Sequence, residues 1–263
     1  MFDKSTQSNH IQTPKSILKG FSFREKIINE NGKPENHNYV YQMDMLGHIE
    51  KKNIKECNSQ VGFYSEYKEK QLSNVETFFG DVKKKILRFI KSNDDLKLSP
   101  KEVSIIRLFY RSCMARSQKF VGQIKNGIIF SNMITGNLNE YIMQEIENDD
   151  LFNDYVPSVI INKTQQNFVL PQKCWYGLRV ENFDLVVMPV DPKIAIVLQK
   201  NRQGNKNSTI AMKLDLCDKI NQLNQFAIMQ EFHSNGKAIY AMNKEDLTEY
   251  VDYIKRLNIS SKE

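Results

Sequence analysis

The chain lacks long apolar segments. Among its 263 residues, no run approaches the roughly 18 consecutive apolar residues of a membrane-spanning helix. The opening segment MFDKSTQSNHIQTPK also lacks the apolar region of a secretory signal peptide. We therefore expect a cytoplasmic protein without a membrane-spanning segment.

The short motifs of the common enzyme classes are missing as well. The sequence contains no GxGxxG, Walker A, HExxH or GxSxG pattern, which removes the direct assignments to dinucleotide-binding, P-loop, zinc-protease and serine-hydrolase sites. The four cysteines, Cys57, Cys113, Cys174 and Cys217, are far apart and lack the spacing of a zinc site. They are expected to be reduced, buried thiols.

The charge is mildly basic, with a formal net charge of +6 at pH 7. Tight nucleic-acid binders usually cluster their positive charge. Here the densest group is Lys83-Lys84-Lys85 with Arg88 and Lys91, which fits the solvated face of a helix. The composition therefore permits a polyanionic partner without requiring one.

Two capping boxes predict consecutive helices. In Ser73-Asn74-Val75-Glu76 the hydroxyl and the carboxylate would satisfy free amides at a helix start, and the apolar spacing that follows predicts an amphipathic helix over residues 74–91. Ser99-Pro100-Lys101-Glu102 repeats the pattern. The polar loop between the two helices predicts an antiparallel helical hairpin. A shorter helix is predicted over 137–148.

Short β-branched runs predict strands near the C-terminus. Residues 185–190 and 193–198 flank Asp191-Pro192 and are typical of two strands joined by a tight turn. Further strands are predicted at 159–161 and 238–241, in the same sheet.

Two later helices and an N-terminal hairpin complete the prediction. The helices cover about 214–232 and 243–257. The hairpin has arms at 39–43 and 48–54, turns near Gly47 and follows a polar loop at 29–38.

This order of elements favours an α+β fold over a doubly wound sheet, because strands and helices do not alternate regularly. We predict a helical middle segment packed on a C-terminal mixed or antiparallel sheet, with a small N-terminal β-hairpin. The whole chain is expected to form a single domain, with residues 1–9 disordered.

Several of these segments together resemble a bacterial family, domain of unknown function 4238. The segment HIQTPKSILKGFS is similar to that family's opening signature, with one extra residue between His10 and Pro14. Gly62-Phe63-Tyr64-Ser65, followed by LSNVE, is similar to its "aromatic-Tyr-Ser … Ser-x-x-Glu" passage, and FYRSCMARS resembles its helix ending in an arginine.

The resemblance extends to the VMPVDPKIAIVL strand pair and to INQLNQFAIMQ followed by GKAIYA. One departure stands out. Family members carry a Ser-Asp pair directly after the strand that aligns with residues 168–170, whereas this chain has Pro171-Gln172. The family has no established reaction, so the resemblance implies a fold and little chemistry.

Five polar residues are candidates for a site. Glu76 could be a metal ligand or a general base, although a capping box would also explain it. His10 could be a base, a ligand or a residue that bonds locally at a helix entry. Arg111 and Arg116 could bind phosphate through their forked guanidinium groups, or could simply interact with a helix dipole. Asn224 on the 214–232 helix would need buried partners, which could be backbone groups or a ligand.

A divalent metal is the one cofactor to consider. Glu181, Asp184 and Asp191 could form a carboxylate cluster for such an ion. Asp191 before Pro192 is better explained as a turn residue.

Two hypotheses of function remain. The first is a protein that acts on nucleic acid or nucleotides, nuclease-like and of the phage-defence or mobile-element kind, with His10, Glu76, Arg111 and Arg116 lining its site. The second is a non-catalytic module that binds or inhibits a protein partner, which the missing catalytic motifs and the absent Ser-Asp pair favour.

Overall fold

A computed structural model describes the chain in nine segments: 8–10, 12–57, 59–61, 66–92, 96–116, 152–180, 183–200, 211–234 and 236–260. The α+β class is confirmed, with helices in the middle of the chain and most strands towards the C-terminus. The helix predicted over 137–148 lies outside the described residues, as do residues 1–7 of the predicted disordered segment.

The described strands and helices have the following bounds. The strands are β1 (Ser8–His10), β2 (Phe23–Ile28), β3 (Pro34–Met43), β4 (Ile49–Asn53), β5 (Ser59–Val61), β6 (Tyr155–Asn162), β7 (Leu170–Pro171), β8 (Tyr176–Val180), β9 (Phe183–Asp191), β10 (Ile194–Lys200), β11 (Ala211–Leu214) and β12 (Ile239–Ala241). The helices are α1 (Lys15–Leu18), α2 (Glu66–Ser92), α3 (Pro100–Ala115), α4 (Cys217–His233), α5 (Glu245–Thr248) and α6 (Val251–Ser260), with a 3-10 turn at Lys19–Phe21.

The predicted N-terminal hairpin is confirmed as β3 and β4, which pair from Met43 with Ile49 to Tyr39 with Asn53. Gly47 in its turn has φ +84°, a conformation that favours glycine. The polar loop predicted at 29–38 is partly wrong, because residues 34–38 belong to β3 and pair with β2.

α2 and α3 pack as the predicted antiparallel hairpin. The rings of Phe79 and Phe109 stack with centroids 3.7 Å apart. Further along, Lys85 pairs with Glu102 at 2.7 Å. The capping box at Ser99 is confirmed, since its side chain accepts from the Glu102 amide and the Glu102 carboxylate accepts from the Ser99 amide.

The C-terminal sheet is mixed, with strand order β11-β6-β10-β9-β8. β11 runs parallel to β6, and the other neighbours are antiparallel. The turn at Asp191-Pro192 is confirmed, because Asp191 Oδ1 accepts from the Lys193 amide at 3.1 Å. A register shift between Ile194 and Ala195 lies beside Pro189, which agrees with the confinement of proline to irregular or edge positions.

The placement of the 238–241 strand in this sheet is wrong. β12 pairs with β3 on one side and with β7 on the other, so it completes the N-terminal sheet instead. Pro171 is the last residue of β7 and lies opposite Ile239. Segments from both ends of the chain therefore share one sheet.

The core is one continuous cluster that includes residues of both larger sheets and of the helices that pack on them. At one side of it, α3 contacts the C-terminal sheet. The Tyr110 hydroxyl of α3 donates to the Ile196 carbonyl at 2.6 Å, and Arg107 donates to the Tyr155 carbonyl at 2.8 Å.

The predicted 243–257 helix is divided into α5 and α6 by a turn at Glu249 and Tyr250. None of the described helices is long and apolar enough to cross a bilayer.

Candidate functional site

Glu76 lies well inside α2, not at its start, so the capping box predicted at Ser73 is wrong. The Thr77 hydroxyl donates to the Ser73 carbonyl at 2.8 Å, four residues back along the helix. The Ser-x-x-Glu pattern also fits the interior of a helix, and here α2 begins upstream at Glu66. Helix capping therefore does not account for Glu76.

The Glu76 carboxylate joins three helical elements. Its Oε2 accepts from the Ser16 hydroxyl of α1 at 3.1 Å. Its Oε1 accepts from Arg116 Nη1, at the end of α3, at 3.3 Å. The Glu76 side chain is 21% exposed and the Arg116 side chain only 2%. The carboxylate is thus the member of this pair that solvent reaches.

Arg116 is fixed by its own helix. Its Nε donates to the Ser112 carbonyl at 3.2 Å, and its Nη2 donates to the Ser112 hydroxyl at 3.0 Å. Charge-assisted contacts of this kind hold a guanidinium in one orientation. The Glu76 carboxylate therefore faces a preorganised cation.

A second chain of contacts connects this pair to the segment after β7. The Thr13 hydroxyl, three residues before Ser16, donates to the Gln172 carbonyl. Gln172 also bonds the 237–238 segment, through its amide to the Ala238 carbonyl and through its Oε1 from the Lys237 amide. We call Thr13, Ser16, Glu76, Ser112, Arg116 and Gln172 the polar cluster.

A buried carboxyl lies near the polar cluster. Glu231 of α4 accepts from the Lys173 amide at 3.2 Å and is 1% exposed. Burial raises the pKa of Glu231 to about 7, against the lowering effects of the Lys173 charge and amide. A Cβ at Gly236 would lie 1.8 Å from Glu231 Oε1, so this packing requires glycine.

Cys174 has the left-handed backbone conformation that few residues other than glycine adopt, with φ +59°. Burial, and then a hydrogen bond with Cys113, raise the pKa of the Cys174 thiol well above its ordinary value. Arg116 and Glu231 also act on this thiol electrostatically. A thiol of raised pKa is a weak nucleophile. The predicted burial is confirmed for Cys57, Cys113 and Cys174 and is wrong for Cys217, which is exposed.

The sequence candidates are only partly brought together. Glu76 and Arg116 are in contact. Arg111 is buried in α3 five residues before Arg116, about 140° around the helix. His10 is the last residue of β1 and pairs with Ser59 of β5.

Asn224 is held by protein groups. Its Oδ1 accepts from the Val169 amide at 3.1 Å, and its Nδ2 donates to the Asn167 carbonyl at 2.8 Å and the Tyr250 hydroxyl at 2.9 Å. These bonds supply the backbone partners that one of the two sequence interpretations expects. The ligand-binding role of Asn224 stays a prediction.

No metal centre is formed within the described segments, where no group of three or more His, Cys, Asp or Glu side chains could hold an ion. Of the proposed carboxylate cluster, Asp184 lies 4.0 Å from Arg179 and Asp191 serves its turn, whereas Glu181 is outside the described residues.

Sequence reasoning missed Ser16, Lys173 and Glu231. The sequence did indicate that Glu231 is unusual. It follows Ala227 and Ile228 by four and three residues and so lies on the same face of α4, and both of those residues are buried. Ser16 gave none, because its partner is 60 residues away in sequence.

Comparison with known proteins adds no relative. No protein-family model, no curated protein and no solved structure matches the chain. Membership of the domain of unknown function 4238 family therefore stays a prediction.

Proposed function

We propose that this protein acts in the cytoplasm on nucleic acid or a nucleotide, with the polar cluster as its site and Glu76 as the general base. The observation that carries the proposal is the Ser16–Glu76–Arg116 chain of contacts. A hydroxyl within bonding reach of a carboxylate, which a third group orients, is the arrangement of an activated nucleophile and its base.

Each residue has a distinct role in this proposal. Glu76 takes the proton of the attacking hydroxyl, which belongs to Ser16 or to a water molecule at the exposed edge of the carboxylate. Arg116 orients Glu76 through the contact between its guanidinium and the carboxylate. Arg116 is the cation of α3 that contacts Glu76, and a positive charge there favours a phosphate-bearing substrate.

The position of Gln172 supports the same locus. Its carbonyl accepts from Thr13, so the segment where the resembling family carries a Ser-Asp pair lies beside the polar cluster. The phage-defence or mobile-element role and a divalent-metal requirement remain proposals that rest on the first hypothesis alone.

Glu76→Gln tests the proposal. Glutamine keeps the shape and can still accept from Ser16, but it cannot take a proton, so turnover of a phosphodiester or nucleotide substrate should fall at least about a hundredfold. Activity would be screened on DNA, RNA and nucleotides with and without Mg²⁺. Asp81→Asn is the matched control, because Asp81 lies on the same helix and is exposed.

Two results would contradict the proposal. One is that the wild-type protein neither binds nor alters any of these substrates. The other is that Glu76→Gln retains full turnover while unfolding at the wild-type temperature.

A second candidate is a non-catalytic module that binds a protein partner. It is favoured by the β2–β3 hairpin, whose far end carries Ile27 and Ile28 with 37% and 74% exposure. Exposed apolar residues at a projecting turn are typical of a contact surface. In this case Ile28→Ser should abolish binding of the partner, whereas Glu76→Gln should leave it unchanged.

A further inference from the structure

A groove of about 700 Å³ lies between α4 and one face of the C-terminal sheet. Its roof is one stripe of α4, formed by Lys219, Gln222, Leu223, Phe226 and Gln230. Its floor includes Ile160, Val187 and Val197 from three adjacent strands. The volume is within the usual range for small-molecule sites.

The groove is lined by apolar side chains that remain exposed. Met212, Leu216 and Phe226 are 52%, 60% and 43% exposed, and they are three of the eight large hydrophobic residues exposed within the described segments. Clustering of this kind marks a binding surface more than a gap in packing.

Hydrogen bonds hold α4 in place beside the groove. The Gly177 amide donates to Gln230 Oε1 at 2.9 Å, and Gln230 Nε2 donates back to the Gly177 carbonyl, which fixes the end of α4 against β8. The opposite stripe of α4 is buried and is tied through Asn224 to Asn167 and Val169. These contacts hold α4 at two points on either side of the groove lining.

The charge of the lining is of one sign. Among the described residues that line the groove, the charged side chains are Arg179 and Lys219, both basic. Arg179 is 80% exposed and lies 4.0 Å from Asp184. Lys219 is in the first turn of α4, whose N-cap residue Leu216 supplies no capping side chain. An anion at this end would be favoured by the Lys219 ammonium and the helix dipole, and opposed by Asp218, the acidic residue of the same turn.

We propose that the groove binds a long-chain carboxylate, with its alkyl tail between α4 and the sheet and its head group at Lys219. The apolar lining fits the tail, and the ammonium of Lys219, which lines the groove, fits the head. This site is separate from the polar cluster, so its test does not depend on the proposed activity.

The test is displacement of a neutral naphthylamine dye by three ligands with the same tail: decanoate, decanol and decyltrimethylammonium. Decanoate should bind most tightly. Lys219→Gln should weaken decanoate roughly two- to fivefold at low salt and leave decanol unchanged, because a surface charge pair contributes only modestly. Lys213→Gln is the matched control, since Lys213 is exposed on β11 outside the groove.

A second variant tests the tail. Phe226→Ser, at a side chain exposed enough to spare the fold, should weaken decanoate and decanol alike. Equal binding of the three ligands, no effect of Lys219→Gln, or no binding at all would overturn the proposal. So would a dimer in sedimentation that Leu216→Ser dissociates, because a second copy would then cover the groove.

Discussion

Glu231 is a buried acid whose ionisation opposes folding. Its carboxyl has a folded pKa of about 7, above the ordinary value of 4.5, because burial disfavours the charge. The folded state therefore binds the proton more tightly than the unfolded state. The contribution of this proton to the free energy of unfolding is fully present below pH 4.5. It is lost as the pH rises from 4.5 to 7, and the total loss is about 3 kcal/mol.

Glu231→Gln should remove this pH dependence. Glutamine still offers an oxygen to the Lys173 amide but carries no charge. We expect the variant to gain about 2–3 kcal/mol relative to the wild type between pH 4.5 and pH 8. Urea unfolding of both proteins at the two pH values measures this difference. Parallel stability curves for the two proteins would show that Glu231 does not titrate in this range.

At the scale of the element, α4 presents a different stripe to each of two surroundings. One stripe lines the open groove, and the other docks on residues 167–173 through Asn224 and Glu231. The docking stripe determines where the helix sits, and hence the shape of the groove.

Asn224→Ala should destabilise the protein by about 2–4 kcal/mol. The substitution leaves the Val169 amide and the Asn167 carbonyl without their side-chain partner. It also removes one of two donors to the Tyr250 hydroxyl, which still accepts from Gln166. Asn221→Ala is the control on the same helix, because among the described residues its Oδ1 accepts from Gln225 of α4, at 3.4 Å. Chemical denaturation should show a small change for this variant. Equal losses for the two variants would mean that Asn224 does not dock the helix.

At the scale of the whole molecule, β12 joins distant parts of the chain. Tyr240 lies opposite Gln42 on one side and Leu170 on the other, so three residues connect the N-terminal hairpins to the β7 segment. The polar cluster borders this junction, because Gln172 bonds both Thr13 and the residues before β12.

Tyr240→Pro should therefore unfold more than a local strand. Proline removes a ladder donor from a strand that is paired on both sides, and the cost should exceed about 3 kcal/mol. Hydrogen exchange would report whether protection falls in β3 and β7 together. Lys244→Pro is the control, because Lys244 is outside the strand and its φ of −63° already suits proline. Loss of protection confined to β12 would argue against the junction.

Sequence reasoning predicted elements whose signals are local. The turn at Asp191-Pro192, the capping box at Ser99 and the hairpin at Gly47 each depend on residues within a few positions of one another. β2 and β11 were missed, because REKII mixes charge with apolar residues and AMKL is too short to show a period.

Long-range contacts were not accessible in the same way. β12 was assigned to the wrong sheet because its partner strand is almost 200 residues away, and no pattern in the neighbouring sequence indicates such a pairing. In the polar cluster, Glu76 and Arg116 were selected as residue types, but their contact and the role of Ser16 depend on how α1, α2 and α3 assemble. The secondary-structure propensities of the residues do not determine how these helices assemble.

The late position of β12 has a consequence for synthesis. About 200 residues separate Met43 from Ile239, and a ribosome adding 5–20 residues per second needs roughly 10 to 40 s to cover them. During that interval the edge of β3 that receives β12 has no partner strand. Unpaired strand edges can pair with other chains. Until β12 is synthesised, or a chaperone covers the edge of β3, we therefore expect the N-terminal sheet to be prone to aggregation.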